Sequence, residues 1–367
     1  MAWANMRNVR LFLLGLVLAA CLPAADTLDV YVVDVEGGKS MLVVAPSGQA
    51  VLVDGGWGGF NNEKYVTIRP SDRDAGRIAE IAKLAGVKQI DYFVVTHYDT
   101  DHVGGVPRAV AKLHVPVLRF IDHGEPQTQD KVALDEYQAY LATIAKAKAQ
   151  RVSVKPGDRV PIEGVDIVVV TSATKFIDSP LPGAGASNPL CAGLPTGRPS
   201  RGENAASVGL RYTFGQFRMI DLGDVTRGVE YDLMCPDNRV GTVDLLMVSH
   251  HGNDASNSPQ LIHALHPRVA ILNNSATKFG RPDAFRAIRT SPGLEDLWQL
   301  HYAMDAGDGN NAPEDLIANP QKEPDPASFG SVLGDQAKWI KVSARRDGAF
   351  TVTNTRNSLS KTYGARR

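Results

Sequence analysis

The densest set of potentially reactive side chains in this sequence lies between Thr96 and Gly105 (THYDTDHVGG). His97, Asp99, Asp101 and His102 can each offer a lone pair to a metal ion, and all follow an apolar run from Ile90 to Val95. A short run of this kind reads as a buried strand. A strand, a donor-rich loop and then Gly104-Gly105 opening a helix is the order in which an α/β sheet presents chemistry, at the carboxyl ends of its strands. His97 and Asp99 are two residues apart and face the same side on extended chain. Asp101 and His102 begin the next turn and can serve a neighbouring position.

Equivalent places later in the chain add donors. Asp224 follows the run Arg218 to Leu222 through Gly223, and His250 and His251 follow the run Val243 to Val248. Ligation needs N and O donors held on stiff backbone. This set suffices for two divalent ions roughly 3.5–4 Å apart, bridged by a carboxylate and a water. One His or Asp at a strand end is usually structural; the ordered set H-x-D-x-D-H, Gly-Asp and His-His-Gly carries the reading. His123 and His301 also follow apolar runs and could line a cleft, whereas His114, His263 and His266 read as helix or surface residues. No Gly-x-Ser-x-Gly offers a serine nucleophile, and Gly55-Gly56-Trp57-Gly58-Gly59 lacks the Lys-Ser/Thr ending of a phosphate-binding loop.

At these residues the chain resembles the metallo-β-lactamase-fold hydrolases. Their H-x-H-x-D-H motif stands here as His97-Tyr98-Asp99-Thr100-Asp101-His102, with Asp99 in the place of the second histidine. Asp54-Gly55-Gly56, Gly202-Glu203-Asn204-Ala205-Ala206-Ser207, Leu222-Gly223-Asp224 and Ser249-His250-His251-Gly252 extend the likeness. The variant is similar to the branch containing the metallohydrolase domain of competence DNA-uptake proteins and exported bacterial relatives.

The resemblance implies an α/β (α+β) fold, a four-layer αββα sandwich, with residues 26–367 as a single domain. It implies a metal-dependent hydrolase that uses a metal-bridging water. His97 and Asp99 would hold one metal, Asp101, His102 and His251 the other, and Asp224 would bridge. Asp54 would orient a ligand histidine from behind. Where the family often supplies a further histidine, the nearest equivalent is Asn204. His250 and Asp101 are the residues expected to take part in catalysis directly, His250 by facing the substrate's developing negative charge. Three carboxylates make a hard donor set: Zn²⁺ is the expected metal, and Mn²⁺ or Fe²⁺ are better tolerated than usual. A phosphodiester is the expected substrate, ahead of a lactone or β-lactam, because the Asp99 variant resembles the DNA-uptake branch. A non-catalytic periplasmic binding or assembly module is the competing reading, allowed by the departure at Asn204.

The elements that must position these donors are visible as patterns. Leu28–Val35, Ser40–Ala45 and Ala50–Val53 read as an antiparallel meander, and Asp72–Ala85 as an amphipathic helix stopped by Gly86. Val106–Leu113 continues the helix entered at Gly104, and Pro107 is tolerated because it falls in the first turn. Val115–Ile121 reads as a strand, Lys131–Ala149 as a long helix and Val160–Val170 as a hairpin about Glu163-Gly164. Residues 171–205 read as a long loop. Ser207–Phe214 with Gln216–Leu222 forms a second strand pair, Gln260–Leu265 and Asp283–Thr290 are helical, and Arg268–Leu272 is a strand. Trp339–Val342 with Ala349–Asn354 is a closing hairpin.

The chain has 367 residues, 43% of them hydrophobic, which is ample for a large core. Its formal net charge of −1 gives no global basic field, and no Arg/Lys stripe interleaved with aromatics suggests nucleic-acid binding. Arg7 and Arg10 precede an apolar run, Leu11 to Ala20, with the length of a signal-peptide core. Export to the periplasm or beyond is expected, with cleavage near residue 25 or lipidation at Cys21, so membrane contact is confined to this segment. An oxidising compartment makes Cys191 and Cys235 an expected disulfide.

Overall fold

The structure is a computed structural model that describes residues 26–58, 72–193, 200–307, 309–323, 325 and 333–366. The expected export segment, with Cys21, lies outside the described residues, as do Gly59 to Asn62 of the glycine-rich loop.

Two mixed sheets form the centre. In chain order the first contributes β1 (Thr27–Val32), β2 (Met41–Val44), β3 (Ala50–Val53), helix α1 (Arg73–Leu84), β4 (Tyr92–Val94), α2 (Val106–Leu113), β5 (Arg119–Asp122), α3 (Lys131–Ala147) and β6 (Gln150–Ser153). The second contributes β7 (Arg159–Ile162), β8 (Val165–Ser172), β9 (Lys175–Phe176), β10 (Gly209–Phe214), β11 (Phe217–Asp221), α4 (Arg227–Met234), β12 (Leu245–Met247), α5 (Pro259–Leu265), β13 (Val269–Leu272), α6 (Pro282–Arg289), β14 (Asp296–His301) and β15 (Ile317–Asn319). The chain then returns to the first sheet with β16 (Ile340–Arg345), β17 (Phe350–Asn354) and β18 (Ser360–Tyr363). The first sheet has the order β18-β17-β16-β1-β2-β3-β4-β5-β6; the second runs β15-β14-β13-β12-β11-β10-β8-β7, with β9 paired to β8.

Strand alternation sorts the first sheet's side chains between two layers. Val30, Val43, Val51 and Val94 belong to one buried cluster with Ile167, Val169, Leu210, Tyr212 and Met219 of the second sheet. Tyr31, Leu42, Leu52 and Phe93 belong to another, with Ile78 and Ile81 of α1, Leu113 of α2, and Tyr137 and Tyr140 of α3. Leu233 of α4, Leu261 of α5, and Phe285 and Ile288 of α6 join the second sheet's cluster. These layers make the expected αββα order. Among the described residues no helix is long and apolar enough to cross a membrane.

The meander, the hairpins and the helices lie close to their expected positions. Several elements were not legible. The strand expected from Val115 begins only at Arg119, with a single bridge from Val117 to Ile90 before it. The expected loop from Thr171 contains the end of β8, then β9 and a 3₁₀ turn at Pro189–Cys191. Helix α4 and strands β6, β14, β15 and β18 lacked a clean period. β14 shows why: Gln299 and His301 are fully buried polar residues inside it, which erases the alternation.

Cys191 and Cys235 are bonded across 44 residues of sequence, with Cα atoms 5.7 Å apart. Closing a loop of that length removes unfolded-state entropy equivalent to roughly 4 kcal/mol. Cys191→Ser with Cys235→Ser should therefore lower stability by about 2–4 kcal/mol, measured as the urea midpoint. A loss under about 1 kcal/mol would show that the bridge constrains little.

Candidate metal centre

The carboxyl ends of parallel strands from both sheets converge. β3 runs parallel to β4, and β11, β12 and β13 run parallel to one another. Past their ends stand Asp54, the His97–His102 loop, Asp224 and His251. The loop after β3 presses directly against the donor loop. Gly55 N donates to His102 O at 2.8 Å and Gly105 N to Gly56 O at 2.9 Å. A Cβ on Gly105 would lie 1.9 Å from Gly55 O, so this approach requires glycine.

Asp54 is fully buried and bonded on both oxygens. Its Oδ1 accepts from Thr96 N at 2.7 Å, and its Oδ2 accepts from Thr96 Oγ1 and meets His102 Nδ1, each at 2.8 Å. His251 Nδ1 lies 3.0 Å from the carbonyl of Asn273. A carbonyl only accepts, so the proton is on Nδ1 and Nε2 keeps a lone pair. The two Nε2 atoms of His102 and His251 face each other at 3.2 Å. Asp224 Oδ2 lies 3.2 Å from the first and 3.4 Å from the second. Asp101 Oδ2 lies 3.1 Å from His251 Nε2 and 3.6 Å from His102 Nε2. These four buried donors lie within 4.8 Å of one another and can hold a metal ion.

The remaining predicted residues flank this cluster. His97 stacks beside His102, ring centroids 4.1 Å apart, and its Nε2 is 3.6 Å from Asp99 Oδ2. His97 and Asp99 are thus adjacent to the four-donor group without belonging to it. Three atoms at the site, His97 Nε2, Asp224 Oδ1 and Asn204 Oδ1, are buried with no hydrogen-bond partner among the described residues. Such atoms are costly unless something binds them. His250 turns the other way: its Nδ1 meets Ser256 Oγ at 3.1 Å and its Nε2 stands 3.8 Å from Asp224 Oδ2. His250 and His251 both have φ near 51°, and this left-handed kink sends the two rings in different directions.

The field at the site is that of crowded carboxylates. Burial pushes the His102 imidazole down, but Asp224, Asp54 and Asp101 outweigh it and raise its pKa well above the ordinary value. The pocket therefore demands a cation, which a proton or a metal ion can supply. Burial pushes Asp101 up, yet Lys278 and His102 hold it well below the usual carboxylate range. Burial instead dominates at His250, which is lowered to about 4 and is neutral at pH 7.

Sequence reasoning missed two lysines and a clamp. Lys39, 2% exposed, pairs with Asp221, three residues before Asp224. Lys278 pairs with Asp101 and donates to Gly37 O at 2.7 Å. It follows β13, so the strand-end rule that found the other donors would have found it. Glu203 ties three loops together, accepting from Tyr98 N at 3.0 Å and Gln127 N at 2.8 Å and meeting His123 Nε2 at 2.7 Å. His123 thus supports the wall behind Asn204. His301 lies elsewhere, 2.7 Å from Asp34, in a group with Asp335. Arg77 occupies that group, bonding Asp34 at 2.9 Å and Asp335 at 2.5 Å, so a resident cation already pairs with both carboxylates.

The four-donor cluster opens into a cleft of about 620 Å³ lined by Trp57, Asp99, Asn204, His250, Lys278 and Phe279, among others. The metallo-β-lactamase superfamily model matches residues 33–188, a span that contains Asp54 and the whole 97–102 motif. This chain carries a metallo-β-lactamase superfamily domain. ComE operon protein 3 of Bacillus subtilis (strain 168) is similar, 24% identical over 257 residues, which is 69% of this chain and 29% of that protein. The chain thus spans under a third of that relative's length, and the relative belongs to the branch that the Asp99 variant resembles. Among solved structures, Igni18, a metallo hydrolase of Ignicoccus hospitalis, is 13% identical, covering 77% of this chain and 97% of that one at a TM-score of 0.40. A metallo-β-lactamase of Cronobacter sakazakii is 15% identical over 60% of this chain and 74% of its own, at a TM-score of 0.33.

The metallo-β-lactamase domain makes Asp54 a specific test of how the centre is held. Asp54→Asn keeps the side chain's shape but removes the charge facing His102 Nδ1. It should weaken metal binding by about 10–100-fold, measured by chelator competition. Unchanged affinity would show that Thr96 alone orients the ring.

Proposed function

We propose that this chain is an exported metal-dependent hydrolase that holds two divalent ions and cleaves a phosphodiester. The observation that carries the reading is the pair of Nε2 atoms facing each other at 3.2 Å, between Asp101 and Asp224. Histidines with their Nδ1 atoms committed to Asp54 and Asn273 have only those lone pairs to offer a ligand. Asp101, His102, Asp224 and His251 would hold one ion; His97 and Asp99, with Asp224, would hold the other. The three carboxylates favour Zn²⁺ and also admit Mn²⁺ or Fe²⁺. The ions would supply Lewis acidity and make a hydrolytic water acidic near neutral pH.

The chain's own groups do the rest. Asp54 and the Asn273 carbonyl fix the two tautomers. Ser256 Oγ spends its proton on Val225 O at 2.7 Å, so neutral His250 keeps its own on Nδ1. Its Nε2, 3.8 Å from Asp224, offers the cleft a lone pair: a base for the hydrolytic water, and not the donor to developing charge that the sequence led us to expect. Trp57 and Phe279 form an apolar wall, and Lys278 gives the cleft a cationic group suited to an anionic substrate. The Cys191–Cys235 bridge supports export, because such bonds persist in oxidising compartments.

The purified chain, supplied with Zn²⁺ or Mn²⁺, should retain two ions by elemental analysis and turn over bis-p-nitrophenyl phosphate. Turnover of an acyl lactone or nitrocefin alone would move the substrate to the carbonyl class. Less than one ion per chain, with no turnover, would favour a binding module.

A further inference from the structure

We propose that Lys278 grips the anionic group of the substrate, and that the turn carrying it is built to aim it. The inference deepens the hydrolase reading and rests on it for the identity of the cleft.

The turn is fixed from several sides. Ser275 Oγ accepts from Lys278 N at 2.8 Å. Gly280 N donates to His251 O at 2.9 Å and Arg281 N to Gly252 O at 2.8 Å, so the turn is fastened to the loop that carries His251. Between these anchors Phe279 has φ of 63°, a conformation that is strained for a bulky residue and persists only where its surroundings enforce it. The Lys278 ammonium sits 4.7 Å from the Trp57 ring centroid and 5.1 Å from that of Phe279. Those faces confine the stem and stabilise the cation.

An ammonium has three donors. Among the described residues those of Lys278 go to Asp101 Oδ2 and Gly37 O, which leaves one for the cleft. No other cation in the cleft serves as well. Among the described residues that line it, Arg281 is the other permanently charged cation, and it is spent on Asp305 at 2.9 Å. Asp99 and Asp130 on the same wall would repel an anion, so Lys278 decides where an anion can lie.

A role confined to holding Asp101 does not account for the charge. A cation touching a metal ligand disfavours metal binding, whereas a neutral amide or hydroxyl could orient the carboxylate without that penalty. A ligand anion, held against both the centre and Lys278, accounts for it. Once Asp101 shares its charge with a bound cation, its pull on the ammonium weakens and the lysine can turn to the substrate.

The test measures binding, apart from turnover. Inorganic phosphate is titrated calorimetrically into the metal-loaded full chain, as wild type, Lys278→Met and Lys278→Arg, with elemental analysis of each. Lys278→Met should weaken phosphate binding tenfold or more without lowering metal content, and Lys278→Arg should restore most of it. Equal affinity in wild type and Lys278→Met, or no phosphate binding by wild type at millimolar concentration, overturns the proposal. Loss of metal from Lys278→Met also overturns it, because the lysine would then act only by positioning Asp101. Phosphate binding that depends on Lys278, with no turnover of bis-p-nitrophenyl phosphate, leaves the grip standing and removes the phosphodiesterase reading.

Discussion

Asp224→Ala is expected to lower phosphodiester turnover by about 10³-fold or more, which corresponds to about 4 kcal/mol of transition-state stabilisation. Asp224 Oδ2 lies 3.2 Å from His102 Nε2, 3.4 Å from His251 Nε2 and 3.8 Å from His250 Nε2, so a single carboxylate meets both histidines of the four-donor group and the histidine on the cleft wall. Its Oδ1 is buried without a partner, and its backbone N is fixed by Ser207 Oγ at 3.1 Å. The side chain is therefore held for ligation and its removal should not disturb the backbone. Elemental analysis should show at least one ion lost per chain. Asp224→Asn, equal in shape but uncharged, should fail nearly as badly if charge is what the centre needs. His301→Gln gives the contrast, because Arg77 already pairs with both carboxylates of that group, and its metal content should match wild type. Two ions and more than a tenth of the activity in Asp224→Ala would mean that the centre lies elsewhere.

Lys39→Met should destabilise the fold by about 3–5 kcal/mol, the typical cost of leaving one partner of a buried ion pair alone. Lys39 and Asp221 are each 2% exposed and joined side chain to side chain. Asp221 Oδ1 also accepts from Gly223 N at 3.1 Å, which shapes the turn into Asp224. Burial pushes the lysine's pKa down, but Asp221 and Asp54 raise it above the ordinary value, so the ammonium is charged at pH 7. Removing the cation leaves a carboxylate in a dry site already crowded with others. Lys39→Met combined with Asp221→Leu should recover most of the stability, because a buried pair replaced by apolar residues is often neutral. It should not recover the activity, since the turn into Asp224 loses its bond. Urea denaturation of the two variants measures the difference. A loss under about 1 kcal/mol in the single variant would show that other groups compensate Asp221.

The sequence by itself determined the strand-end placement of the donors. Buried strands at 90–95, 218–222 and 243–248 must end where polar side chains begin, so His97–His102, Asp224 and His251 had to stand at sheet ends. It also determined the alternation that makes two-faced strands of β1 to β3, and the glycines that let Asp54's loop touch the donor loop. The Cys191–Cys235 pair was expected from the export that the N-terminal segment suggests. Tertiary structure alone decided which donors meet. Asp101, His102, Asp224 and His251 converge because the two sheets bring their strand ends together, and that distance is not encoded in any local pattern. It also set His251 among the other three donors and His250 against Ser256, because their left-handed backbones turn the rings apart. Asp99, with 35% of its side chain exposed, remains at the rim beside His97, a depth that spacing could not give. Lys39 was invisible because a lone lysine in a glycine-rich turn is ordinarily solvated, and only its place after β13 hinted at Lys278. Only the carboxylates that packing places around these two make them part of the centre.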